Sequence, residues 1–418
     1  MTTTVHQRQS PRLLAGVADY ATHLQLFGPT PRLEPGVLID ELERSGLAGR
    51  GGASFPAWRK LALAHGSSRS RRRPLVVVNA MEGEPASDKC RVLLTQSTHL
   101  VLDGAEIVGT ALGASEIVVC IPSNREGLAH RADAASSARD SQLPVTTLRL
   151  PPRYVAGEET ALAAAIGGDG SLPRYRPDKA IPLQIGGSPV LVHNLETLAH
   201  VAFVARYGAR WWRTVGSEEA PGTCLITLSG DVSRPGVIEV PTGVPLVDLL
   251  SAGVPAAPPQ AALVGGYGGS WVGVADFATA YSPAALRAIG ASMGPGIVVA
   301  LSGDGCGVRE TARIARYMAV ESAAQCGPCL FGLPALASDL EALADGHAGS
   351  NVLQRLEFRC WEVDGRGACR HPDGVVRVVR SGLQVFAADV AAHAAGRPCP
   401  GSHRPTVLTF PQLEGSGR

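Results

Sequence analysis

The chain has 418 residues, 45% hydrophobic and 18% charged, enough apolar side chain for more than one core and too evenly mixed for wholesale disorder or a coiled-coil rod. A formal net charge of +1 supplies no bulk field for nucleic acid or an anionic membrane. No apolar run, GIVVAL at 296–301 included, approaches the ~20 residues of a spanning helix, and MTTTVHQRQSPRLLAG lacks a signal-peptide pattern, so a cytoplasmic protein without direct membrane insertion is expected.

Residues 1–35 have weak periodicity, end in FGPTPRLEPG and are expected to form an N-terminal arm. From 36 the chain alternates: helix-like VLIDELERSG, a glycine loop, strand-like PLVVVNA at 74–80, helix-like THLVLDGAEIVGTALG and strand-like EIVVCIP at 116–122. Strand, helix and strand in that order predict a βαβ unit with a parallel sheet, which places 36–220 in the α/β class. Near 221 the pattern changes to two short strands around a turn, CLITLSGDVSRPGVIEVPTG at 224–243, followed by helix-like PLVDLLSAG. This predicts a small β-rich module over 221–300. Strand-like GIVVALS then leads into an amphipathic helix at 308–324, where Val308, Ala312, Ala315, Met318 and Ala319 recur opposite Arg309, Arg313 and Arg316. Helix-like stretches at 333–345 and 373–394 complete a helical domain over 301–392, with 393–418 as a tail.

The nine cysteines, an odd number, do not read as a disulfide framework. Cys90, Cys120 and Cys224 adjoin apolar runs and read as core, and Cys399 falls in the tail. Cys306, Cys326, Cys329, Cys360 and Cys369 gather in one stretch, where metal or redox chemistry is to be sought. Only three lysines occur, Lys60, Lys89 and Lys179, the other basic residues being arginines. RSRRRP at 69–74 reads as a solvated basic loop or a phosphate patch. CGPC at 326–329 has the spacing of a thioredoxin-like pair, but it follows a helix rather than a strand.

Three loops carry chemistry. GLAGRGGASFPAWRK at 46–60 sets Gly49, Gly51 and Gly52 around Arg50, so backbone N–H groups can approach phosphate oxygens while Arg50 and Lys60 supply counter-charge; a tight connection is the plain reading. NAMEGEPASDKCR at 79–91 lies at the C-terminal end of a strand, where open α/β sheets place ligands. RYVAGEETALAAAIGG at 153–168 puts Glu158 and Glu159 before a helical run, where carboxylates also serve as ordinary caps.

Taken in order, GLAGRGGASFPAWRK, NAMEGEPAS, YVAGEETAL, HNLETL, SGDVSRPGVIEVPTG and ESAAQCGPCL resemble the family patterns GLRGRGGAGFPTGxKW, NADExEPGT, YxCGEETAL, NNVETL, SGxVxRPGxYEVPxG and ESCGxCxPCR. These belong to the flavin- and NADH-binding 51 kDa-type subunit of respiratory complex I and of related hydrogenases and formate dehydrogenases. The resemblance spans about residues 36–390. It implies a Rossmann-like flavin domain, a ubiquitin-like β-grasp module of the SLBB type and a C-terminal helical bundle for an iron–sulfur cluster. It implies FMN held by Gly49, Arg50, Gly51, Gly52, Lys60, Asn79, Tyr154, Gly157, Glu158, Asn194 and Thr197. It implies NADH placed by Phe55, Glu82, Glu84 and Glu159, with Glu84 and Glu159 as the carboxylates closest to the chemistry. The implied reaction is hydride transfer from NADH to the flavin and release of single electrons to an iron–sulfur centre or a ferredoxin-like or complex I-type partner, at the periphery of a membrane complex.

The chain also departs from these patterns. Met81 replaces the aspartate of NADE, Leu63 falls where a second aromatic is expected, and RPDKAIP at 176–182 lacks the phenylalanine of KPPFP. Weaker NADH binding is expected from each lost charge or stacking surface. Ala323 stands at the first cysteine of the cluster motif, leaving Cys326, Cys329 and Cys369, with Cys306 or Cys360 as substitutes for the fourth ligand of a [4Fe–4S] cluster. Two further readings stay open: a flavin-binding scaffold without NADH oxidation, and an NADPH-preferring reductase in which Lys179, Arg174 and Arg176 pair with a 2′-phosphate.

Overall fold

A computed structural model describes residues 12–411 apart from 15, 18, 67–71, 177, 179 and 180. Its first sheet grows from β1 (Leu75–Asn79), β2 (Glu116–Pro122), β3 (Val145–Leu150), β4 (Leu183–Ile185) and β5 (Ser188–Asn194), ordered β3-β2-β1-β5-β4. All neighbours pair in parallel except β4, an antiparallel edge strand. The run of β-branched residues in β1 suits a strand covered on both faces. Val76 and Val78 face a core shared with α5 (Thr98–Leu112), α6 (Glu126–Ser137) and α8 (Leu195–Trp212). Val77 faces the opposite core with Leu162 of α7 (Glu159–Ile166).

The chain leaves β1 for β2 on one side, while β5 returns on the other, so the order of strands reverses between β1 and β5. At the carboxyl ends of that pair, Asn79 and Asn194 stand in register. Open α/β sheets bind ligands at such a point. The expected βαβ unit is present, but the segment between β1 and β2 holds two helices, α4 (Lys89–Gln96) and α5, where the sequence suggests a loop ahead of a single helix.

The second sheet is mixed: β6 (Thr223–Gly230), β7 (Gly236–Pro241), β8 (Pro259–Val264), β9 (Ser270–Gly273) and β10 (Ile297–Ser302), ordered β7-β6-β10-β8-β9. β6 and β10 pair in parallel and the other neighbours are antiparallel. One of its faces packs on α9 (Leu246–Ala252) and α10 (Pro283–Ala288), the other on the helical region.

That region comprises α11 (Gly307–Val320), α12 (Leu333–Ala344), α13 (Val352–Val363), α14 (His371–Val385) and α15 (Ala387–Ala394). The expected helix over 308–324 stops at Val320, the stretch over 373–394 is two helices broken at Phe386, and α13 is an addition to the expected set. The arm and the tail are tied in. Leu13 is fully buried, and α1 (Tyr20–Phe27) sends His23 to Asp103 of α5 at 2.7 Å, beside Arg139 and Arg206. Cys399 and Leu408 are buried in the helical core. Among the described residues no helix is long and apolar enough to cross a membrane.

α5 passes α8 closely at Gly104, where a Cβ would overlap the Leu198 carbonyl. Gly104→Ala must therefore part α5 from α8, and a loss of about 3 kcal/mol is expected in urea unfolding.

Candidate functional site at the strand-order reversal

Three loops converge on the reversal. The glycine loop between α2 (Pro35–Ser45) and α3 (Ala57–Gly66) lies over the end of β5: a Cβ on Gly51 would stand 3.4 Å from that of Asn194. Gly49 donates to the Phe55 carbonyl at 2.8 Å, closing the loop, and Gly52 sits at φ +116, a conformation that favours glycine. Over β1, Asn79 donates through Nδ2 to the Gly157 carbonyl at 2.9 Å, and a Cβ on Gly157 would meet Met81 at 3.1 Å. Asn194 caps α8 by accepting from Glu196 N at 3.0 Å. Glu158 caps α7 in the same way, accepting from Thr160 N at 2.8 Å and Ala161 N at 3.2 Å. Lys60 reaches the same place from α3, donating to the Val192 carbonyl at 2.7 Å and pairing with Glu159. Bare glycine backbone, Asn79, Asn194 and the Lys60–Glu159 pair thus meet at the strand-order reversal, where the backbone leaves room for a close-fitting ligand.

Arg50 does not serve as the free counter-charge expected of it. Its guanidinium is buried, donating to the Thr223 carbonyl at 3.0 Å and lying 3.9 Å from Glu196. Its backbone is gripped from both sides, N–H by Thr197 Oγ1 at 2.9 Å and carbonyl by Lys89 Nζ at 2.8 Å. Lys89 also pairs with Glu196 at 2.8 Å. Burial opposes a charge on Glu196, but Lys89, His200 and Arg50 outweigh it and hold the carboxyl far below its usual range. Lys89 and Glu196 are not among the site residues expected from the sequence. Their signal is their place in motifs, as one of three lysines and as the glutamate of HNLETL.

The other carboxylates also divide. Glu82 is engaged at the N-terminus of α4, accepting from Cys90 N at 2.7 Å, Arg91 N at 3.2 Å and Ser87 Oγ at 2.9 Å. Glu84 is buried against the second sheet, where Oε2 accepts from Tyr154 Oη and Tyr267 N, each at 3.0 Å, and Oε1 has no partner among the described residues. Burial pushes its carboxyl up to about 7 against those two donors. Glu84 and Glu159 are therefore held by separate partners. Glu159 remains at the crevice with Lys60, and Phe55 is 41% exposed beside the loop. Leu63 is half-buried and Ile181 exposed. Arg174 pairs with Asp169 at 2.8 Å and Arg176 lies 3.9 Å from Glu159; Lys179 and residues 69–71 of the basic loop fall outside the described residues.

Beyond Tyr154 the crevice adjoins a pocket of thiols. Burial raises the Cys329 thiol to about 12, and Cys326 and Cys369 add to it, which sets the three sulfurs in one neighbourhood. Glu158 bears in turn on Cys369, whose thiol burial also raises. The two substitutes considered for the fourth ligand do not reach them. Cys306 caps the opposite end of α11, a helix about 21 Å long, and Cys360 is buried in the same core as Cys329, its thiol raised by burial and not by the three sulfurs.

Comparison with known proteins agrees with this layout. Residues 42–203 match the profile of the Nuo51 FMN-binding domain, and 309–393 that of the NADH-ubiquinone oxidoreductase-F iron-sulfur binding region, together more than half of the chain. The chain belongs to the 51 kDa, F-type family of NADH oxidoreductases. It is 28% identical to the F 2 subunit of NADH-quinone oxidoreductase from Rhizobium meliloti strain 1021 over 88% of this chain and 90% of that one. It is 28% identical to the HndC subunit of the NADP-reducing hydrogenase of Solidesulfovibrio fructosivorans over 90% and 80%. A crystal structure of an NAD+-reducing [NiFe]-hydrogenase superposes with a TM-score of 0.80 at 29% identity, covering 86% of this chain; the chain spans 63% of that one.

In this member of the 51 kDa family, ESAAQCGPCL departs from ESCGxCxPCR at Ala323, Ala324 and Leu330. Ala323 removes a thiolate, so the three gathered thiols do not complete a four-thiolate set. Ala324 takes the place of the glycine, yet keeps φ at +49.

Two outcomes follow from this geometry. Glu84 holds its proton to about pH 7 in the fold and to about 4.5 when unfolded, so the folded state binds more protons between those values and loses stability as pH rises through them. Glu84→Gln should remove that slope, on the order of 3 kcal/mol, when pH-dependent unfolding of the two proteins is subtracted. Ala324→Gly should relieve left-handed strain and raise stability by a few tenths to about 1 kcal/mol in thermal unfolding.

Proposed function

We propose that the chain is an FMN-dependent NADH dehydrogenase module, with flavin bound at the reversal between β1 and β5. The observation that carries this reading is the meeting of bare glycine backbone, Asn79, Asn194 and Lys60 at one crevice. FMN, when bound, accepts a hydride from NADH and passes electrons on singly. The residues around it have distinct work. Gly51 and Gly157 let the backbone come close, Lys60 steers Glu159, and Asn79 fixes the height of the YVAGEE turn. Phe55 offers a ring at the mouth for nucleotide stacking, and Glu159, steered by Lys60, is the carboxylate left to meet a ribose or nicotinamide amide. Glu84 acts from behind by holding Tyr154.

The domain division that goes with this reading is an arm at 1–35, the flavin domain at 36–220, a β-grasp module of the SLBB type at 221–300, a helical domain at 301–392 and a tail beyond. The order β7-β6-β10-β8-β9, with its parallel central pair and one crossing helix, supports the β-grasp assignment. Electrons leave towards an iron–sulfur centre. Cys326, Cys329 and Cys369 would hold one with three thiolates, and a ferredoxin-like or complex I-type subunit is the partner expected to receive the electrons.

The test is anaerobic stopped-flow absorbance of the flavin-loaded protein. NADH should bleach the flavin band, more weakly bound than a full set of stacking aromatics would allow, and Gly51→Val should purify without flavin. Faster bleaching by NADPH would favour the phosphate-reading alternative. If dithionite bleaches the flavin and neither nucleotide does, the protein is a scaffold and not a dehydrogenase.

A further inference from the structure

One buried group of metal-ligand side chains lies outside both the crevice and the thiol pocket. Cys306 at the N-cap of α11, His393 on α15 and Cys399 just beyond it place two sulfurs and an imidazole nitrogen within 4.8 Å of one another. All three are buried, His393 completely. Cys306 Sγ stands 3.6 Å from His393 Nε2. With Zn–S near 2.3 Å and Zn–N near 2.0–2.1 Å, the sulfur–nitrogen edge of a zinc tetrahedron is about 3.6 Å. Nε2 accepts from Cys399 N at 3.1 Å, so that nitrogen carries the lone pair, and an ion bound there takes the place of this hydrogen bond. Burial pushes the Cys306 thiol up to about 12, and the hydrogen bond its Sγ accepts from Arg309 N at 3.4 Å only partly offsets this.

The surroundings hold these ligands in place. The turn after Cys399 presses on the turn before α11, where a Cβ on Gly401 would come within 2.6 Å of Gly305 and 2.8 Å of Cys306 N. Arg309 Nη1 donates to the carbonyls of Ser402 at 2.8 Å and Arg404 at 3.1 Å, and Arg404 pairs with Asp304. Two segments nearly a hundred residues apart are thus brought to one point and present a soft, thiol-rich set with a single imidazole. Such a set selects zinc over the oxygen-preferring cations.

We infer that Cys306, His393 and Cys399 bind a structural zinc ion that clamps the C-terminal segment to the start of α11. These residues supply three of the four corners of such a site. The site is separate from the flavin and from Cys326, Cys329 and Cys369, so it stands whether or not the dehydrogenase reading does.

The full chain, purified without a metal-binding tag, should carry one zinc per chain by inductively coupled plasma mass spectrometry. Cys399→Ser and His393→Ala should each lose it, whereas Cys329→Ser should keep it. Cobalt(II) added to the chelator-stripped protein should give a thiolate-to-cobalt charge-transfer band, absent in Cys399→Ser. The stripped wild-type protein should lose trypsin resistance over 395–411 and regain it with zinc, a measurement that needs no variant to fold. Failure of the wild-type protein to take up zinc or cobalt, equal zinc in both ligand variants, or a Cys306–Cys399 disulfide in protein prepared without oxygen would each overturn the assignment.

Discussion

Glu196 carries its charge where water does not reach it, and the shape of the crevice depends on how that charge is met. A glycine loop that must leave room for a ligand cannot be fastened by side chains on its open face. Here it is fastened from behind: Arg50 turns inward towards Glu196, and the peptide groups on either side of it are held by Thr197 and Lys89. The same carboxylate accepts from Leu225 N of β6 at 2.8 Å, so the loop, α4, α8 and the second sheet share one anchor. Taking one partner from a buried ion group of this kind typically costs about 3–5 kcal/mol, because the remaining charge is left uncompensated. Glutamate and threonine in HNLETL therefore fasten the glycine loop.

Tyr154 performs the corresponding task on the other side. Its hydroxyl donates to Glu84, its backbone N–H to Glu321 at 2.9 Å, and its ring lies edge-on to His371 and Tyr317. Since Glu84 also accepts from Tyr267 N, one residue joins the flavin-side turn to the second sheet and to the helices that carry the thiols. A buried carboxyl–phenol contact thus ties the YVAGEE turn to the second sheet and to the helical region.

The parts of the fold visible in the sequence are those with strong local signals. β1 and β2 are nearly unbroken β-branched runs and α5 is apolar on its inner faces, so periodicity finds them. β5 begins Ser-Pro and ends His-Asn, and α4 interrupts its apolar residues with Lys89 and Arg91, so neither announces itself without neighbours. The packing of the tail is not legible because Cys399 and Leu408 are isolated apolar residues whose burial depends on a distant helix. At the site, the motifs locate the right segments but not the direction of each side chain. An arginine in a glycine loop and a glutamate near a strand end suit a ligand as well as they suit a buried anchor or a helix cap. Only the tertiary partners of Arg50, Glu82 and Glu84 distinguish these roles.

The turn after α11 shows what happens when a motif loses its chemistry and keeps its shape. Ala323 cannot bind a metal and Ala324 is poorly suited to φ +49, yet the chain still makes the turn and still buries Cys329 beside Cys326 and Cys369. That geometry must be imposed by its surroundings: α11 ends just before it, Pro328 begins the next turn after it, and Glu321 and Ser322 are held by Tyr154 and Arg153. A pocket fixed in this way can present three thiolates in a set arrangement and leave one metal corner to a ligand that the motif does not provide. A loss of ligand chemistry at Ala323 thus leaves the backbone course of the turn in place, held by contacts outside the motif.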